Sequence, residues 1–255
     1  MAGDEVINII CIHGFGGFPE DWTDLVAELP ATNGIFLNIP PEASSLQEVT
    51  MYFADKIAAL NLKEFYLAAY SMGGRIGILL AQELAKRNLL QKSKGLILLS
   101  AGLGFKTKEE ILSRESSDQK WADLLITDAK QFWKDWYSQD LFKNFKINIS
   151  DDYFSKKKRH SASALMQQLL QFSPAKHEFL FPILNEMPVP LLYLVGAEDK
   201  KYLEVAYFLK DNLRGAEIQI IPDSGHSLLF ENPKACAKVL ADWINRGKNE
   251  KKYRP

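Results

Sequence analysis

A chain of 255 residues with 31 Lys+Arg against 32 Asp+Glu is long enough to bury one large core, and it has no global charge to attract nucleic acid or anionic lipid. Its apolar fraction of 47% is that of a globular protein, and apolar runs such as Val6 to Ile12 fall far short of the roughly 18 residues of a membrane span. A small ligand is therefore the expected partner. The start, MAGDEVINIICIHG, enters a strand without a basic targeting region, so a soluble cytoplasmic protein is expected. Cys11 and Cys236 are the only two cysteines; they are too few for a disulfide framework, lack metal-ligand spacing, and read as core packing.

Short apolar, β-branched runs alternate with amphipathic stretches of helix length, the pattern of a parallel sheet with helices on both faces. Strands are predicted at Val6 to Ile12, Gly34 to Ile39, Phe65 to Ala69, Gly95 to Ser100, Pro190 to Val195 and Glu217 to Ile221. Helices are predicted near Pro19 to Leu29, Ser45 to Leu60, Met72 to Arg87, Tyr202 to Leu213 and Asn232 to Arg246. The alternation lapses between about Gly104 and Met187, where aromatic and charged residues interleave as KWADLL, FWKDWY and KKKRHSASALMQQLLQ. That stretch reads as an extra domain or as a long crossover, and a helical insertion covering the C-terminal edge of the sheet suits the lengths. The expected organisation is an α/β core of residues 1–103 and 188–255 with a helical lid at 104–187. The polar tail KNEKKYRP is expected to fray.

AYSMGGR, Ala69 to Arg75, places Ser71 at the end of a strand and the start of a helix. Small residues two before and two after it, Ala69 and Gly73, permit the sharp turn that lifts a nucleophilic hydroxyl off a sheet. The bland alternative is an N-cap serine followed by glycines that allow close packing. Partners follow in the chain order nucleophile, acid, histidine. Glu198-Asp199 come after the strand LLYLVG, and His226 comes in SGHSLLFENP after EIQIIP. A serine hydroxyl needs an imidazole to take its proton, and the imidazole needs a carboxylate to fix its tautomer. Asp199 stands further past its strand end than Glu198, with Asp223 a weaker rival. His13-Gly14-Phe15 follows the first strand, and its glycines allow a backbone N–H to join that of Met72 in an oxyanion hole. GFGGF is superficially like a phosphate-binding loop but lacks the GxGxxG spacing.

Arg75 lies in the first turn of the helix that Ser71 opens, where a cation opposes the macrodipole by roughly 0.3–1 kcal/mol. Its offset is either a surface Asp or Glu, or a substrate carboxylate beside the serine. In the lid, Arg114 and Arg159 point into the pocket or belong to a solvated face with Lys156, Lys157 and Lys158. His160 and His177 read as lid surface. Trp121, Trp133 and Trp136 read as the small core of the lid, with one of them available to wall the pocket.

HGFGGFPEDW, AYSMGGR, VGAED and PDSGHSLLFENP together resemble the α/β-hydrolase superfamily over the whole chain apart from the lid. Within it, HGF followed by DW, YSMGGR, and a lid reading SRESSDQKWADLL then FWKDWYSQDLF look like the 2-succinyl-6-hydroxy-2,4-cyclohexadiene-1-carboxylate synthase family of menaquinone biosynthesis. The resemblance implies a lyase without cofactor or metal that eliminates pyruvate from a succinylated cyclohexene carboxylate, its triad serine acting as a base. It implies Ser71, Asp199 and His226 as the triad, and Phe15 and Met72 as donors of the oxyanion-hole N–H groups. Tyr70, Arg75, Arg114, Trp136 and Arg159 are implied as substrate contacts, Arg159 through a looser local match than the others. Two features depart from the superfamily: the expected N-terminal hairpin is missing or vestigial, and NIPPEASS replaces the usual Asp-x-Pro-Gly-x-Gly loop. The triad and oxyanion hole alone leave open a carboxylesterase or thioesterase working through an acyl-serine, and the scaffold leaves open a non-catalytic receptor.

Overall fold

In a computed structural model describing residues 6–145 and 155–252, six strands form one sheet in the order β2-β1-β3-β4-β5-β6. They are β1 (Ile7–Ile12), β2 (Thr32–Leu37), β3 (Phe65–Tyr70), β4 (Ser93–Leu99), β5 (Leu191–Gly196) and β6 (Ala216–Ile221), and every pairing is parallel. β2 begins two residues before its predicted start because the polar Thr32 and Asn33 pair in register with Ile7 and Asn8; an edge strand needs no apolar run there.

Successive side chains of a strand face opposite sides, so the central strands split the core in two. Ile10, Ile12, Leu67, Ala69, Leu96 and Leu98 pack on one face, and Ile9, Cys11, Tyr66, Ala68, Ile97 and Leu99 on the other. The first face is covered by α2 (Leu46–Leu60), α3 (Met72–Lys86) and α8 (Lys200–Asn212), the second by α1 (Thr23–Ala27) and α10 (Pro233–Lys252). Both faces are buried, which is why the strands read as continuous apolar runs. Cys11 and Cys236 are both buried and free.

The helix predicted at Pro19 to Leu29 is divided into a 3-10 turn, Pro19–Trp22, and α1. α8 starts two residues before its predicted start because Asp199 caps it, and α10 runs on to Lys252. The fraying expected for residues 248–255 is not found at 248–252, which continue the helix; 253–255 lie outside the described residues. α9 is the short helix Leu228–Glu231.

Between β4 and β5 every described element is helical: α4 (Lys108–Thr127), α5 (Ala129–Ser138), a 3-10 turn at Asp140–Phe142, α6 (Ala162–Gln171) and α7 (Phe181–Asn185). Thr107 and Glu110 form a reciprocal capping box at the start of α4. Ala122, Leu125, Phe132, Trp133, Leu165 and Leu169 give this segment its own small core, against which Phe15 from the β1 loop packs. The strand order reverses between β1 and β3, and a crevice opens there at the C-terminal ends of the strands. Among the described residues, no helix is long and apolar enough to cross a membrane.

Candidate active site

Ser71 sits on the turn from β3 into α3 with φ 53 and ψ −114, a conformation that costs a non-glycine residue on the order of 1–3 kcal/mol. Its own N–H is held by the Leu99 carbonyl of the neighbouring strand at 2.9 Å. The turn closes only because position 73 is glycine: a Cβ there would lie 2.3 Å from the His13 carbonyl oxygen and 2.6 Å from that of Ile12. Ser71 makes no side-chain cap to α3; its Oγ lies 3.0 Å from His226 Nε2. The N-cap alternative therefore does not describe this serine.

His226 and Asp199 are both buried. His226 Nδ1 donates to Asp199 Oδ2 at 2.9 Å, an arrangement that assigns the proton to Nδ1 and leaves Nε2 to accept from the serine hydroxyl. The other carboxylate oxygen, Oδ1, accepts from the Tyr202 N–H at 3.3 Å, so the helix that Asp199 caps also fixes its rotamer. Glu198 is turned elsewhere, its Oε2 accepting from Asn144 Nδ2 at 2.7 Å, and Asp223 is exposed on a turn with φ 52. Tyr202 stacks on the imidazole at 4.7 Å and Tyr70 and Phe142 lie 5.5 and 5.7 Å from it. These rings pack around the imidazole.

The β1 loop forms the opposite wall. His13 Nδ1 donates to the Gly14 carbonyl at 2.8 Å, and burial lowers its pKa to about 4. It is neutral, and it holds the loop in place. Phe15 and Met72 both line the cavity, and the Met72 N–H, first in α3, has no acceptor within the helix.

A cavity of about 160 Å³ extends from Ser71 beneath the helical segment and is lined by Tyr70, Arg75, Arg114, Trp121 and Trp136 among others. Arg75 is 6% exposed. Its Nη2 donates to the Phe172 carbonyl at 2.8 Å, while its Nε has no partner. Burial, the largest influence, lowers its pKa to about 10, which leaves it a cation at neutral pH. Among the described residues neither Asp nor Glu bonds to it, and its bonded acceptor is a neutral carbonyl. Arg114 Nε donates to Asp118 Oδ1 at 2.7 Å. Asp118 is itself 2% exposed, and its Oδ2 has no partner. Trp136 packs on Phe15 at 4.9 Å, whereas Trp133 is buried in the small helical core.

Arg159 is not brought to this cavity. Its exposed guanidinium pairs with Glu20 and lies over the Phe18 ring at 4.2 Å. The cation that this stretch contributes is Lys157, which the expected solvated face does not describe: it is 7% exposed and donates to the Gly16 carbonyl at 2.5 Å. Burial lowers its pKa to about 8. His160 also departs from the surface expected for it, since it stacks on Phe18 at 4.1 Å and bonds the same Gly16 carbonyl at 3.1 Å. His177 is half-buried, with its pKa lowered to about 4 by burial and by the Arg75 charge. Asp118, Lys157, Tyr202 and Phe142 line the cavity without having been singled out by sequence. Asp118 carried a readable signal, an acid four residues after Arg114 in the same row as Ala122 and Leu125; the others follow from packing alone. Among the described residues, no group of three or more His, Cys, Asp or Glu side chains is arranged to hold a metal ion.

Residues 9–239 match the family described as the Alpha/beta hydrolase family. A Haemophilus influenzae protein provisionally named 2-succinyl-6-hydroxy-2,4-cyclohexadiene-1-carboxylate synthase is 30% identical over 249 residues, covering 94% of this chain and 98% of the relative. The enzyme of that name from Enterobacter sp. (strain 638) is 28% identical, covering 91% of this chain and 90% of its own. The solved structure of MenH from S. aureus superposes with a TM-score of 0.83 at 21% identity, covering 97% of each chain.

Proposed function

The chain belongs to the alpha/beta hydrolase family, and from that premise we propose that it eliminates pyruvate from a succinylated cyclohexene carboxylate to form 2-succinyl-6-hydroxy-2,4-cyclohexadiene-1-carboxylate, the product for which its relatives are named. The observation that carries the proposal is Arg75: a buried guanidinium with an unpartnered Nε in the cavity that Ser71 opens onto. A site built only to cleave neutral esters has no use for that charge.

In the proposed reaction His226 Nε2 takes the proton of Ser71, and the serine oxygen removes a proton from the substrate. Asp199 holds the imidazole tautomer and balances the imidazolium that results. The negative charge developing on the substrate is met by the N–H groups of Phe15 and Met72, and pyruvate departs without a bond forming to serine. Tyr70, Arg75, Arg114 and Trp136 bind the substrate. Arg159 joins them only when its pair with Glu20 opens. Residues 104–187 serve as a lid that excludes water from the cavity. The reaction as proposed uses no cofactor or metal, needs neither nucleic acid nor a membrane, and proceeds in the cytoplasm.

Incubating the purified protein with the pathway precursor and measuring pyruvate tests this. We expect release that falls about a thousand-fold or more in Ser71→Ala. No release from folded protein would reject the lyase. A burst of leaving group from an activated ester, lost in Ser71→Ala, would then indicate an acyl-serine hydrolase, and a serine unreactive toward an organophosphonate would indicate a receptor.

A further inference from the structure

The buried residues of α4 are Asp118, Ala122 and Leu125, spaced i, i+4 and i+7 along the stripe that a helix turns toward its core. An apolar side chain belongs in that row, and carboxylates are almost never fully buried unless paired. Asp118 is only half paired. Oδ1 accepts from Arg114 Nε at 2.7 Å, while Oδ2 is buried without a partner. Packing therefore gives no account of the residue, and the bond it makes does.

A guanidinium has two edges that a carboxylate can engage, and Asp118 engages it at Nε. That leaves the terminal amino groups of Arg114, on a side chain lining the cavity, to a second carboxylate. The Arg114 charge is close enough to disfavour the charge on Arg75, and Asp118 counters this by favouring it. One buried carboxylate thus stands beside two cations that line the same cavity.

We propose that Asp118 is a positioning residue that orients the Arg114 guanidinium for a ligand carboxylate and keeps the two arginines together before the ligand arrives. The succinyl and ring carboxylates of the precursor are its targets if the lyase reading holds, on which the identity of the substrate rests; the orientation itself serves any dicarboxylate.

The test is steady-state kinetics of Asp118→Asn, Asp118→Glu and Asp118→Leu with two readouts: pyruvate release from the precursor, and succinate inhibition of Ser71-dependent hydrolysis of p-nitrophenyl acetate. Asp118→Asn keeps the shape and removes the charge, so we expect KM for the precursor and Ki for succinate to rise by about ten-fold or more, as for a lost bond to a charged group. The kcat for pyruvate release and ester hydrolysis fall by much smaller factors. Asp118→Glu restores part of the affinity. Asp118→Leu, which completes the apolar stripe, loses the affinity while melting at or above the wild-type temperature. Unchanged KM and Ki in Asp118→Asn, parallel losses of ester hydrolysis and succinate affinity, or a lower melting temperature in Asp118→Leu would overturn the proposal, as would a wild-type protein that succinate does not inhibit. Failure of pyruvate release alone would reject the lyase and leave succinate inhibition to judge Asp118.

Discussion

Arg75 is the residue at which stability and binding separate most clearly. Its Nε donor is buried without a partner, a deficit of about 1–3 kcal/mol in the empty protein, and it stands where the α3 dipole is unfavourable to a cation. Arg75→Met is therefore expected to be at least as stable as wild type in thermal unfolding, while KM for the precursor rises about ten- to a hundred-fold. Hydrolysis of a small neutral ester should fall far less; equal losses on both substrates would make Arg75 structural. The position of Ser71, His226 and Asp199 was legible because each follows a strand end and the three come in a fixed chain order. What Arg75 bonds to was not legible, since its acceptor, the backbone carbonyl of Phe172, lies 97 residues away and leaves no mark in side-chain chemistry.

At the scale of elements, the cations between β4 and β5 show where sequence pattern loses its force. Arg159 and Lys157 are two residues apart in a run of basic side chains, and no apolar periodicity there says which one turns inward. The structure buries Lys157 against the Gly16 carbonyl and leaves Arg159 outside with Glu20. The consequence is a pH dependence. The Lys157 pKa falls from 10.5 to about 8 on folding, so between those values the unfolded chain binds the extra proton and stability rises with pH. Below about pH 8 the cost of burying the ammonium is fully present; above pH 10.5 it is gone. Comparing wild type with Lys157→Met by chemical denaturation across this window should show wild type gaining on the variant by about 2–3 kcal/mol. A difference that stays flat from pH 7 to pH 10.5 would mean that the ammonium is not desolvated.

Over the whole molecule, the parallel sheet was legible because the inner strands β1, β3, β4 and β5, buried on both faces, are largely apolar runs separated by helix-length segments. The edge strand β2 was displaced by two residues for the opposite reason, being half polar. The helices between β4 and β5 were legible as helices but not as a packing arrangement, because α4 buries only Asp118, Ala122 and Leu125 and so shows little contrast between its faces. That segment rests on the sheet through Phe15 and the aromatic side chains of α5. If it is the lid of the proposed reaction, saturating succinate should slow amide hydrogen exchange in α4 and α5 and leave β1, β3 and β4 unaffected. Uniform slowing across the protein, or none in α4 and α5, would argue against that movement.

The contact between Ser71 and His226 joins residues 155 positions apart, and His226 follows β6, which pairs with β5. Ser71 follows β3, whereas Asp199 and His226 follow β5 and β6. Under the proposed mechanism the serine turn is therefore encoded well before its base, and a chain that ended ahead of β6 would carry Ser71 without the imidazole that activates it.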